Sequence, residues 1–85
     1  MLYLVTMMRN PAFDPAVIPE HQAFLEQLKA SGELIMWGPF TDRTGGAYVL
    51  QAGSLDEAAS MAFTDPVHVS GASTVTVTEW DAKRP

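Results

Sequence analysis

The 85-residue chain contains no cysteine, which excludes disulfides and every thiolate metal site. It is poor in positive charge. Five basic residues (Arg9, Lys29, Arg43, Lys83 and Arg84) stand scattered against ten carboxylates, for a net charge of −5. A chain without a basic stripe cannot make the phosphate contacts that supply most nucleic-acid affinity, so nucleic acid is excluded as a partner. No apolar run approaches the roughly 20 residues that a membrane span needs. Met1 to Met8 is apolar but lacks the charged region and small-residue cleavage site of an export signal. These absences point to a cytoplasmic protein with no membrane association. Charged residues make up only 18% of the chain and hydrophobic ones 47%. A chain this short forms one domain, residues 1–85, and buries only about 60–65% of its unfolded surface. Such a composition therefore favours a buried contact between subunits.

The pattern along the chain predicts strand, helix, strand, strand, helix, strand. Leu2 to Met8 is a first strand with two largely apolar faces. Asp14-Pro15 reads as a helix cap followed by a first-turn proline, and Pro19 marks a second, later candidate start. Val17, His21, Phe24, Leu25 and Leu28 recur at helical spacing, and Ser31-Gly32 stops that helix. His21 thus belongs to the buried stripe. Glu33 to Trp37 is a second strand ended by Gly38-Pro39, and Thr41 to Gly46 is a polar turn. Ala47 to Ala52 is a third strand. Ser54 and Glu57 form a capping box ahead of a helix whose stripe is Leu55, Ala58, Ala59, Ala62 and Phe63. Asp65-Pro66 is suited to a short extra turn of helix. Ser73 to Trp80 alternates as a fourth strand, and Asp81 to Pro85 is a polar tail.

This order predicts an α+β, ferredoxin-like βαββαβ fold with an antiparallel four-stranded sheet and both helices on one face. The other sheet face is then too apolar to leave wet. A second copy of the chain is its simplest cover, giving a two-fold homodimer or a higher oligomer built from it.

Few residues invite chemistry. His21 is a candidate general acid or base, or else a hydrogen-bonded core histidine. Asp65 is a helix cap, or else the carboxylate that orients an imidazole. Trp37, Gly38 and Phe40 form either a pocket wall for a flat apolar ligand or a strand end over a hydrophobic plug. His21, Asp65 and His68 do not have the helical spacing of a metal site, and Gly45-Gly46 lacks the helix and lysine of a phosphate cradle. No metal or cofactor is called for.

The segments His21-Gln22-Ala23-Phe24-Leu25, Gly32-Glu33-Leu34, Gly38-Pro39-Phe40, Gly45-Gly46, Asp65-Pro66, Gly71 and Val77-Thr78-Glu79-Trp80, in this order and spacing, resemble the YCII-related proteins. The resemblance spans nearly the whole chain. It implies a ferredoxin-like fold paired as a dimeric α/β barrel, and a catalytic dyad of His21 and Asp65. The arginine that members often carry just ahead of this histidine is absent, and Val17-Ile18-Pro19-Glu20 stand there instead. A characterised relative removes chloride from a chlorinated hydroxylated aromatic, and the wider superfamily includes muconolactone isomerase and small monooxygenases. The expectation is therefore a small cofactor-free lyase or isomerase that moves a proton on a cyclic or aromatic hydroxylated compound. A non-catalytic ligand-binding or regulatory module and a cofactor-free monooxygenase remain as alternatives.

Overall fold

A computed structural model describes residues 1–85. The elements are β1 (Leu2–Arg9), a 3-10 turn (Pro15–Val17), α1 (Ile18–Ala30), β2 (Leu34–Pro39), β3 (Gly45–Gln51), α2 (Leu55–Ala62), α3 (Pro66–Val69) and β4 (Ser73–Trp80). The four strands form one sheet in the order β2-β3-β1-β4, with every neighbouring pair antiparallel. This is the α+β, ferredoxin-like arrangement that the element order predicts.

Local chemistry explains the boundaries. The two prolines near the first helix serve two different starts. Asp14 accepts a hydrogen bond from the Ala16 N–H at 2.9 Å and begins the 3-10 turn with Pro15. Pro19 then sits in the first turn of α1, where its missing N–H costs nothing. Gly32 closes α1 with φ +81°, a conformation that a side chain would strain. Its N–H donates to the Lys29 carbonyl and that of Glu33 to the Leu28 carbonyl, both at 3.1 Å, so the last carbonyls of the helix are satisfied. Ser54 caps α2 by accepting from the Glu57 N–H at 3.1 Å, and Glu57 reaches back to the Gly53 N–H at 3.2 Å.

Three strands run further at one end than the sequence suggests, β1 by the single residue Arg9. β2 continues through Gly38 to Pro39, because it lies at the edge of the sheet, where a residue without an N–H is tolerated. β3 starts at Gly45, two residues early. A Cβ on Gly45 would collide with the Met7 carbonyl of β1, so glycine is what permits the close approach there.

The core lies between the sheet and the helices. Tyr3, Val5 and Met7 of β1 and Tyr48 and Leu50 of β3 pack against Leu25 and Leu28 of α1 and Ala58 and Ala62 of α2. The two alanines are wholly buried and bring α2 close to the sheet. Leu55 and Phe63, expected on the same stripe, are instead 46% and 41% exposed. α2 is only eight residues long, and both lie at its ends, beyond the reach of the sheet. The opposite sheet face is built from Leu2, Leu4 and Thr6 of β1 with Met36, Ala47, Val49, Gln51, Thr76, Thr78 and Trp80 in register beside them, and no element of the chain covers it.

Candidate active site

His21 and Asp65 come together although 44 residues separate them. His21 stands at the end of the first turn of α1, and Asp65 is the N-cap of α3. α1 and α3 pack side by side. The His21 Nδ1 lies 2.8 Å and 2.9 Å from the two carboxylate oxygens of Asp65. Asp65 is fully buried, and its Oδ1 also accepts from the Val67 N–H at 3.0 Å. Capping and bracing are therefore done by one carboxylate. A carboxylate only accepts, so Nδ1 carries a proton and donates it. This leaves Nε2, which has no partner within the chain, free to take up a proton from elsewhere.

The His21 ring borders a cleft of about 350 Å³, within the range of small-molecule sites. Trp37 and Gly38 line the same cleft, together with Gly45 and Gly46 of β3. Phe40 does not line it. It belongs to the turn after β2 and is 37% exposed. Trp37 reaches the cleft because of an irregularity in its strand. Pairing shifts register between Leu34 and Met36, so that Leu34 stands opposite Leu50 and Trp37 opposite Tyr48. Both therefore share the helix-facing side, where strict alternation would part them. The Lys29 Nζ lies 5.8 Å from the centroid of the Trp37 ring, a cation–π distance that ties the indole to α1.

His68 is turned away from the pair. It is exposed, and its ring packs against Phe63 with centroids 4.6 Å apart. No group of three or more His, Cys, Asp or Glu side chains in the chain is arranged to hold a metal ion.

Arg9 and Ser73, which the sequence does not single out, also line the cleft. Tyr48 is a further unforeseen feature beneath the site. Its hydroxyl is buried without a hydrogen-bond partner, and its ring packs edge-on against Phe24. Burial, and secondly the negative charge of Asp65, push the Tyr48 phenol far above its ordinary value of 10.

Tyr48→Phe is accordingly expected to stabilise the fold by about 1 kcal/mol, since it removes a buried polar group that has no partner. The denaturant midpoint should rise at unchanged slope. The folded chain keeps the Tyr48 proton at a pH where the unfolded chain gives it up. The group's stability contribution is therefore complete below pH ~10 and falls as pH rises beyond it, by roughly 1.4 kcal/mol per unit. The gain from Tyr48→Phe should thus grow in alkali. A variant less stable than the parent would show that the hydroxyl has a partner in solution.

Comparison with known proteins fits this architecture. The YCII-related domain model matches residues 1–81. The chain belongs to the YCII-related family. Its relatives include the uncharacterized protein YjpA of Bacillus subtilis (strain 168), 45% identical over 82 residues that make up 96% of each chain. Among solved structures, the 5-chloro-2-hydroxyhydroquinone dehydrochlorinase of Burkholderia phenoliruptrix AC1100, in complex with 2,5-dihydroxybenzoquinone, matches with a TM-score of 0.79 at 28% identity, covering 98% of this chain and 96% of that one. Muconolactone isomerase shares the fold, with a TM-score of 0.76 at 16% identity over 100% of this chain and 92% of its own. No helix of this YCII-related chain is long and apolar enough to cross a membrane.

Proposed function

We propose that this YCII-related protein is a small lyase or isomerase that moves a proton on a cyclic or aromatic hydroxylated compound, with His21 as the acid–base group and Asp65 as its orienting partner. The observation that carries this reading is the two-oxygen contact of the buried Asp65 with His21 Nδ1 at 2.8 and 2.9 Å, on a ring that borders a cleft. In the elimination variant, Nε2 takes a proton from the substrate, the electron pair of that bond forms a new double bond, and chloride leaves with the displaced pair. In the isomerase variant the proton returns to a different carbon. The carboxylate holds the ring in one tautomer and supports the imidazolium that forms. Trp37 and Gly38 shape the pocket wall. The elimination variant is supported by the 28% identity to a dehydrochlorinase across nearly the whole of both chains.

The working unit in this proposal is a homodimer formed through the open sheet face. That face carries an apolar hollow of about 260 Å³ bordered by Leu4, Met36, Ala47, Val49 and Trp80, and reached also by Trp37 and Tyr48. Met36 and Trp80 are 57% and 44% exposed, an apolar surface of the kind that a second sheet covers.

The activity is tested by measuring chloride release from 5-chloro-2-hydroxyhydroquinone and double-bond migration in muconolactone. One of the two should proceed with the parent protein and fall by about 10²-fold or more in His21→Gln, the scale of a lost acid–base group. Turnover that His21→Gln leaves intact would remove the dyad from the chemistry. Saturable binding without turnover of either compound would favour a ligand-binding module instead.

A further inference from the structure

The cleft beside His21 is electrostatically one-sided. The chain has ten carboxylates and five cations, yet the cleft is lined by one cation, Arg9, and by no Asp or Glu. Arg9 is the last residue of β1, on the side shared with Tyr3, Val5 and Met7, which face the helices. It forms no ion pair. The two charge pairs of the chain are His21–Asp65 and Lys83–Asp81.

The guanidinium is also held in place. Its carbon lies 4.3 Å from the centroid of the Phe13 ring, a stacking geometry that suits arginine. The loop carrying Phe13 is pinned in turn. Asn10 accepts the Phe13 N–H at 2.9 Å through its carbonyl, and its side chain donates to the Gly71 carbonyl at 2.8 Å and accepts from the Thr74 hydroxyl at 2.9 Å. Ser73 stands directly opposite Arg9 in the β1–β4 pairing and so projects on the same side. Ser73 is 6% exposed and lines the cleft, and its hydroxyl makes no hydrogen bond within the chain. An exposed cation stacked on the Phe13 ring and an uncommitted hydroxyl therefore converge on the space that His21 borders.

We infer that Arg9 and Ser73 form an anion subsite that binds a negatively charged oxygen, carboxylate or enolate, of a small planar substrate and so sets the substrate's reacting carbon against His21. The inference rests on the proposed dyad for the role of His21, but the subsite itself stands on Arg9 and its surroundings. The guanidinium supplies charge-assisted hydrogen bonds in its own plane, the Ser73 hydroxyl adds one more donor, and Trp37 lines the same cleft. A neutral molecule of the same shape would leave the guanidinium without its partner and bind more weakly.

The test is calorimetric and NMR titration of the parent chain, Arg9→Gln and Arg9→Lys with three probes. These are benzoate, 2,5-dihydroxybenzoquinone (a vinylogous acid that is anionic at neutral pH) and neutral hydroquinone. The parent should bind at least one anion and shift the Arg9 Nε–H resonance. Arg9→Gln should weaken that anion ~10-fold or more, the range expected for a lost hydrogen bond to a charged group, while hydroquinone affinity stays put. Arg9→Lys should recover part of the loss, and added salt should weaken the anion in the parent more than in Arg9→Gln. Benzoate and the quinone distinguish carboxylate from enolate oxygen. Anions that bind Arg9→Gln as tightly as the parent, or that fail to bind the parent at millimolar concentration, would overturn the subsite. The dyad is judged separately. Anion binding that depends on Arg9 but turnover that ignores His21 would leave the subsite and remove the dyad. Turnover that depends on His21 with KM unchanged in Arg9→Gln would do the reverse.

Discussion

Alanine at position 21 should destabilise the fold by about 3 kcal/mol, more than the lost packing of a side chain that is 16% exposed would by itself suggest. The reason lies in what the substitution leaves behind. Asp65 is fully buried and has two donors, the His21 ring and the Val67 N–H. Without His21 a buried carboxylate keeps a single donor, and stranding one member of a buried pair costs about 3–5 kcal/mol. Asp65→Asn should cost much less. Its amide oxygen can still cap α3 through the Val67 N–H and avoids burying a charge. The double variant His21→Ala/Asp65→Asn should therefore regain much of the stability lost by His21→Ala alone, a coupling that denaturant midpoints read directly. Turnover separates structure from chemistry. Asp65→Asn lacks the charge that supports the imidazolium, so it should lose activity by roughly 10²-fold or more while remaining folded. Nitrogen-15 shifts of the ring should show Nδ1–H fixed in the parent and a mixture of tautomers in the variant. Full activity in a folded Asp65→Asn would reduce the pair to a packing device, whatever its geometry.

Much of this site was legible because its parts obey local rules. His21 falls on a helical stripe with Phe24, Leu25 and Leu28, and Asp65 precedes a proline that a short helix can use. Both placements follow from near neighbours. Their meeting does not, because it depends on α1 and α3 packing against one another. The strands show the same division. Alternation identified four of them, but not where they stop or which way their ends face. The edge position of β2 lets it run past Gly38 into Pro39, and the register shift after Leu34 turns Trp37 toward the helices. Neither effect has a one-dimensional signature. Phe40 follows Trp37 by three residues in the same Trp-Gly-Pro-Phe segment, but β2 ends at Pro39 and Phe40 falls in the turn beyond it. In the sequence Arg9 is one of five scattered cations and Ser73 begins the fourth strand. Only the β1–β4 pairing shows that they stand side by side over the cleft. What sequence conceals here is long-range register, and that register determines the lining of the site.

The open side of the sheet leads to the other large effect. Leu4 lies on the interior strand β1, with Val49 of β3 on one side and Thr78 of β4 on the other. If two copies join through this face, Leu4→Lys acts twice, once per subunit, as a two-fold contact requires. Each substitution forfeits about 1.5–3 kcal/mol of apolar burial and brings an ammonium without a carboxylate partner, since the neighbouring positions on this face are Met36, Ala47, Val49, Thr76, Thr78 and Trp80. The summed loss of at least ~3–6 kcal/mol corresponds to a dissociation constant roughly 10²- to 10⁴-fold weaker. Light scattering of the parent at micromolar concentration should give twice the 9.2 kDa chain mass, and Leu4→Lys should give the single-chain mass. The variant should keep a folded circular dichroism spectrum, because the lysine ammonium can extend into solvent while the helix-side core of Tyr3, Val5 and Leu50 is untouched. The melting temperature of the parent should rise with concentration and that of the variant should not, as mass action demands when assembly stabilises the fold. A parent that scatters as a single chain would mean that a sheet face bearing Met36 and Trp80 remains in water, and the proposed interface would have to be abandoned. The anion subsite would survive that result, since Arg9, Ser73 and His21 meet on the helix side of the sheet within one chain.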